Sequence, residues 1–254
     1  MSSALQSLVP AGEPLTAAAF VERIGLWDAR PQADRPWVVA AMIGSADGRA
    51  TVEGGAGGLG SAADRDVLRE LRAAADALLV GPGTLIAERY ATLLDAEQQQ
   101  RRIDRGRPAE PLMATISRSL DPRLADVPLF CEQGTRIQVY TEADGPAPGA
   151  GADVAVERFA PGTLDAGACL SHLRRAHHAS LVVSEGGPTL LRQLLAGGHV
   201  DDLVLTVAPL LVAGEGRAVL HGPVFDPPVR MRLRDVLRGE EHLFLRYTLD
   251  GGTA

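Results

Sequence analysis

Apolar residues in this chain cluster into short uninterrupted runs, and several of these runs lead into a segment with helical spacing. Trp37-Val38-Val39-Ala40-Ala41-Met42, Ala77-Leu78-Leu79-Val80 and Leu181-Val182-Val183 are runs of the length and content that a strand buried on both faces requires. Shorter patterns predict further strands over 112–116, 137–140, from 154 onward and over 202–207. Helical spacing appears near 16–24 and 164–175, and most clearly at Val67, Leu68 and Leu71, behind a Ser61 cap with Asp64 three residues on. Another helix opens at Pro188 and continues through Thr189, Leu190, Leu191, Leu194 and Leu195. Near the end of the chain, Met231, Leu233, Val236 and Leu237 precede Gly239, and Leu243, Leu245, Tyr247 and Leu249 follow it. That alternation predicts a terminal β-hairpin. Strand–helix units closed by a hairpin give an α/β class with one mixed, mostly parallel sheet and helices on both faces.

Between these elements the pattern weakens. Residues 1–36 are punctuated by Pro10, Pro14, Pro31 and Pro36 and read as an N-terminal preamble packed on the core, with 37–254 as a single domain. Residues 95–110 read as an exposed loop or frayed helix, in which Arg101, Arg102, Arg105 and Arg107 are solvated or form a phosphate-capturing lid.

Length and charge narrow the function classes. With 254 residues, 46% of them hydrophobic, the chain can bury a sizeable core. A net charge of −7 supplies no basic face for nucleic acid, so an anionic ligand has to be captured locally. Cys131 and Cys169 are too few and too far apart for a disulfide framework, and the six histidines lack metal-ligand spacing, so no metal is expected. No apolar run has transmembrane length and no signal peptide is evident. A cytoplasmic protein without membrane contact is expected.

Candidate chemistry lies where strands end, because ligands of open α/β sheets bind at the carboxyl ends of the strands. Three such ends stand out: Ser45-Ala46-Asp47-Gly48, Gly81-Pro82-Gly83-Thr84, and Ser184-Glu185-Gly186-Gly187-Pro188-Thr189. The last two are glycine-bearing turns that feed helix starts, where free N–H groups and the helix dipole attract phosphate. Together they match the two phosphate-bearing ends of one dinucleotide. Glu185 stands beside the second turn as a carboxylate able to fix a polar group. Neither a Rossmann fingerprint nor a P-loop is present.

These segments, with Leu71-Arg72-Ala73, Val200-Asp201-Asp202-Leu203 and Ala208-Pro209-Leu210-Leu211, resemble in order and spacing the reductase domain of riboflavin-biosynthesis deaminase–reductases. The resemblance runs from about residue 37 to 247. It implies a dihydrofolate-reductase-like fold, a homodimer, and NADPH-dependent reduction of 5-amino-6-ribosylaminouracil 5′-phosphate to its ribityl counterpart by hydride transfer. It also implies cofactor contacts from Gly81, Gly83, Thr84, Glu88, Ser117, Gly186, Gly187, Pro188, Thr189, Leu190 and Leu191. Glu185 and Arg72 would face substrate, and Ser45 and Asp47 would shape the loop beside the reacting ring; no residue is assigned a proton-transfer role. The chain departs from the family in two places. Gly57-Gly58-Leu59 stands where many members carry a tryptophan, and Glu88-Arg89-Tyr90-Ala91-Thr92-Leu93-Leu94-Asp95 lacks the terminal arginine that binds substrate phosphate. The zinc-site motif of the deaminase half is absent. Two competing functions share the fold: a reductase of a pterin or dihydrofolate-like ring, and a nucleotide-binding module without turnover.

Overall fold

The structure is a computed structural model that describes residues 4–52 and 54–249. Residues 1–3 and 250–254, the outer ends of the two segments expected above, lie outside the described residues, as does residue 53. The elements in chain order are β1 (Gln6–Val9), α1 (Ala17–Arg23), β2 (Trp37–Ser45), α2 (Ala62–Ala74), β3 (Ala77–Leu79), α3 (Pro82–Ala87), α4 (Ala96–Asp104), β4 (Leu112–Ile116), α5 (Pro128–Cys131), β5 (Arg136–Thr141) and β6 (Asp153–Arg158). They continue with α6 (Ala166–His177), β7 (Leu181–Ser184), α7 (Pro188–Ala196), β8 (Asp202–Ala208), β9 (Arg232–Gly239) and β10 (His242–Thr248). All ten strands form one sheet in the order β1-β9-β10-β8-β2-β7-β3-β4-β5-β6. From β8 to β6 the neighbours are parallel, whereas β10 runs antiparallel to β8 and β9, and β1 antiparallel to β9.

The uninterrupted apolar runs follow from this order. In β2, Val39 and Ala41 join a core with Phe20 of α1, Leu71 of α2 and Leu85 of α3. The alternate residues Val38 and Ala40 join a second core with Leu173 of α6 and Leu194 of α7. A central strand in this sheet has no polar face because both of its faces are covered.

Two segments differ from the pattern-based expectation. The preamble contributes a strand, β1, which extends the sheet beyond β9. Within residues 95–110, the stretch expected as loop or frayed helix holds a capped helix, α4, followed by a loop over 105–110; α4 starts with a capping box in which Asp95 and Gln98 satisfy each other's backbone N–H groups. Its Arg102 is 1% exposed. The Arg102 guanidinium donates to the carbonyls of Ala73 (2.7 Å), Ala75 (2.5 Å) and Pro108 (2.8 Å), and so closes the carbonyl end of α2. Arg107 donates to the carbonyls of Ala74 and, at 2.8 Å, Trp27. Arg101 pairs with Glu70 at 2.6 Å and Arg105 with Glu22. Arg101, Arg105 and Arg107 all lie within 5.7 Å of the Trp27 ring. These arginines brace the join between α1, α2 and α4, and neither a lid nor a solvated loop describes them.

Candidate functional site

Strands β2, β7 and β3 are parallel neighbours, so their carboxyl ends open on one edge of the sheet. The turn after β3 and the turn after β7 meet there back to back. The Gly81 N–H donates to the Gly186 carbonyl at 2.7 Å. The Gly187 N–H donates to Thr84 Oγ1 at 3.2 Å. The seam depends on the missing side chains. A Cβ on Gly187 would lie 3.0 Å from Thr84 Oγ1, and one on Gly186, whose φ is +75°, would lie 2.6 Å from Met42 Sδ. The Gly186–Gly187 peptide is cis.

A cavity opens on each side of this seam. The first, about 390 Å³, has an apolar floor from Ala41, Met42, Val67, Leu68 and Leu71 and carries Arg72, Tyr90 and Glu185 on its wall. The second, about 570 Å³, is lined by Gly81, Pro82, Gly83, Thr189, Leu190 and Gln193, with Arg118 and His221. Thr84, Gly187, Pro188 and Arg217 line both.

Arg72 and Glu185, read separately from the sequence as residues facing substrate, face each other. Arg72 Nε donates to Glu185 Oε1 at 2.7 Å and Nη2 to Oε2 at 2.6 Å, a bidentate pair whose side chains are 15% and 3% exposed. The Tyr90 hydroxyl donates to the same Oε2 at 2.5 Å. Burial opposes the Arg72 charge, but the adjacent Glu185 carboxylate and Tyr90 more than offset it and raise the guanidinium's pKa. Burial, with the charge of Glu185, drives the Tyr90 hydroxyl well above its ordinary value. Arg72 Nη1 is left with no hydrogen-bond acceptor among the described residues and lies on the cavity wall. Asp64 lines the same cavity. Burial raises its pKa, against the hydrogen bond from Thr206 and the charges of His242 and Arg65.

Of the other residues read from the sequence, Ser45, Asp47, Ser117, Gly186 and Leu191 lie apart from the cavity linings, and Glu88 does not. Ser45 Oγ donates to Asp47 Oδ1 at 2.5 Å, and Asp47 accepts the N–H groups of Val212 (3.1 Å) and Ala213 (2.7 Å). The Ser45 hydrogen bond and the two N–H groups hold the Asp47 carboxyl down at about 2. Both residues therefore fasten the 209–222 strap to the turn after β2, a join continued by Ala46 N–H to Leu210 O and Ala50 N–H to Arg217 O. Ser117 accepts the Asp121 N–H at 2.9 Å and lines neither cavity, whereas the adjacent Arg118 lines the second. Glu88 lines the first cavity and accepts the Ala56 N–H at 2.8 Å, which pins the glycine-rich loop. Leu191 is buried in the core and Gly186 forms the seam. Sequence reasoning passed over Tyr90, Arg118 and Arg217, and saw Asp64 only as a capping partner. Tyr90 stands in the very segment that lacks the family arginine, a signal that was available.

A family model described as the RibD C-terminal domain matches residues 36–245. A 2,5-diamino-6-ribosylamino-4(3H)-pyrimidinone 5′-phosphate reductase of Methanothermobacter thermautotrophicus is 25% identical over 223 residues, 85% of this chain and 100% of the relative. A reductase of the same name from Archaeoglobus fulgidus is 29% identical over 184 residues, 71% of this chain and 83% of the relative. Among solved structures, a pyrimidine reductase-like protein of Corynebacterium diphtheriae superposes with a TM-score of 0.71 at 26% identity, covering 85% of this chain and 92% of that one.

Proposed function

The chain belongs to the RibD C-terminal domain family, and from that premise we propose that it is a reductase of riboflavin biosynthesis. Its substrate is a phosphorylated ribosylaminopyrimidine, reduced from ribosyl to ribityl, with NADPH as hydride source. The observation that carries this reading is the glycine seam with a cavity on either side. Cβ atoms there would crowd Thr84 Oγ1 and Met42 Sδ, so the backbone presents a cradle without side chains where a pyrophosphate can approach. Residues fitted to hold a nicotinamide dinucleotide are Gly81, Gly83, Thr84, Gly187, Pro188, Thr189 and Leu190, with the adenosine half in the second cavity beside Arg118. When bound, the cofactor supplies the hydride.

The chain's own residues do the rest. The apolar floor of the first cavity excludes water and receives the pyrimidine ring. Arg72, held in one orientation by Glu185 and Tyr90, offers its Nη1 donors to a polar or anionic group of the substrate. Asp64, a carboxyl pushed upward by burial, is suited to hold a proton beside the reacting group. Asp47 and Ser45 act through the strap they anchor. The reading includes a homodimer in the cytoplasm. No helix among the described residues is long and apolar enough to cross a membrane.

Cofactor oxidation tests the reading directly. Wild-type protein should oxidise NADPH, in preference to NADH, when given 5-amino-6-ribosylaminouracil 5′-phosphate or its 2,5-diaminopyrimidinone counterpart. Turnover with dihydrofolate and not with either pyrimidine would move the pterin-reductase alternative ahead. NADPH binding without turnover of any of them would favour the nucleotide-binding module.

A further inference from the structure

Of the four residues that line both cavities, three belong to the glycine seam and its helix starts, and the fourth is Arg217, carried there by the strap. Arg217 differs from Arg72 and Arg118, the arginines on the walls of the first and second cavities. Arg72 is paired with Glu185 and Arg118 with Glu142, whereas the Arg217 side chain has no hydrogen-bond or ion-pair partner among the described residues. Its backbone, by contrast, is fixed. The Arg217 carbonyl accepts the Ala50 N–H at 2.7 Å, and the strap is tied on either side of it by Asp47 at Val212 and Ala213 and by Val219 N–H to Gly48 O. Arg217 is exposed, so its guanidinium is hydrated rather than starved of a counterion; what marks it is an anchored backbone that holds it at the junction of the two cavities, free of any carboxylate and able to take an anion.

We propose that Arg217 closes over the pyrophosphate of the dinucleotide where it crosses from one cavity to the other, opposite Gly187. This rests on the reading of the paired cavities as a dinucleotide site. The adenosine and nicotinamide halves then lie on either side of the seam, and the linkage between them must pass the four shared residues. The linkage carries two negative charges, and Arg217 is the one cation among the four. A strap residue thereby does from above what the glycine turns do from below, and cofactor affinity becomes dependent on the strap being seated.

The test is a direct titration of NADPH by its fluorescence in wild type and in Arg217→Lys, Arg217→Gln and Arg217→Glu, each at low and high salt, beside melting temperatures. Arg217→Lys should bind within a few-fold of wild type. Arg217→Gln should lose about tenfold to hundredfold, the range of a hydrogen bond to a charged group. Arg217→Glu should lose more, and all three should melt as wild type does. The salt dependence of binding should be shallower in Arg217→Gln, because a charge–charge contact has gone. A folded Arg217→Gln that binds NADPH as wild type does overturns the proposal and leaves the dinucleotide reading standing. So does a loss that ignores the charge of the substituent and follows the melting temperature. A wild-type protein that binds no nicotinamide dinucleotide overturns both.

Discussion

Glu185 keeps both carboxylate oxygens on protein donors, so in the proposed reductase it governs substrate through Arg72. Glu185→Gln keeps the size and removes the charge, which leaves a guanidinium largely buried without a counterion. Breaking one side of a buried pair costs about 3 kcal/mol or more, and denaturant unfolding should register it. With Arg72 released, kcat/KM for the pyrimidine should fall about tenfold to hundredfold, while NADPH titrates as in wild type. Unchanged kcat/KM would reduce the pair to a structural one. Asp47 carries a pH prediction. Its folded pKa of about 2 lies below the ordinary 3.8, so its hold on the strap is complete above that ordinary value and is lost as pH falls toward 2. Proteolytic nicking of the strap by pepsin should therefore separate wild type from Asp47→Asn at about pH 5, and the difference should vanish in stronger acid. Equal nicking at the higher pH would show that the carboxylate does not hold the strap. The glycine turns were legible in the sequence because their signal is local. The contacts Arg72 to Glu185, 113 positions apart, and Asp47 to Ala213, 166 apart, were not, because nothing within either neighbourhood encodes the partner.

At the scale of elements, helices with an apolar stripe declared themselves and α4 did not. Its two buried residues are Gln98 and Arg102, so its inner face is polar and a search for hydrophobic periodicity passes over it. Arg102→Ala should accordingly destabilise the fold by about 3 kcal/mol or more, since it leaves buried carbonyls unsatisfied at roughly 1–3 kcal/mol each. Arg102→Lys should recover only part of the loss, because one ammonium cannot span the carbonyls of Ala73, Ala75 and Pro108. Urea midpoints of the two variants measure both, and a neutral Arg102→Ala would refute the clamp.

For the molecule as a whole, the parallel βα rhythm identified the class of fold, and the strand order required long-range pairing that no local pattern contains. The antiparallel wing formed by β8, β10 and β9 has one face in the core, through Leu237 and Phe244. On β9 and β10 its other face carries Leu233 and Leu243, 48% and 37% exposed, next to half-buried Val236, Leu245 and Tyr247. An apolar sheet face of this kind suits the second copy in the proposed homodimer. Leu233→Lys combined with Leu243→Lys should give a monomer by sedimentation equilibrium that still binds NADPH. A wild-type monomer, or a variant of unchanged mass, would dismiss this face as the dimer contact.

The pairing of β1 with β9 has a consequence for how the protein is made. Gln6–Val9 leaves the ribosome long before Arg232–Gly239, yet among the described residues that strand is its only neighbour in the sheet. During synthesis the parallel strands can assemble as they emerge, whereas the earliest strand has to wait, unpaired, for almost the latest. That edge of the sheet thus joins two strands more than two hundred positions apart, and it cannot close until β9 has been made.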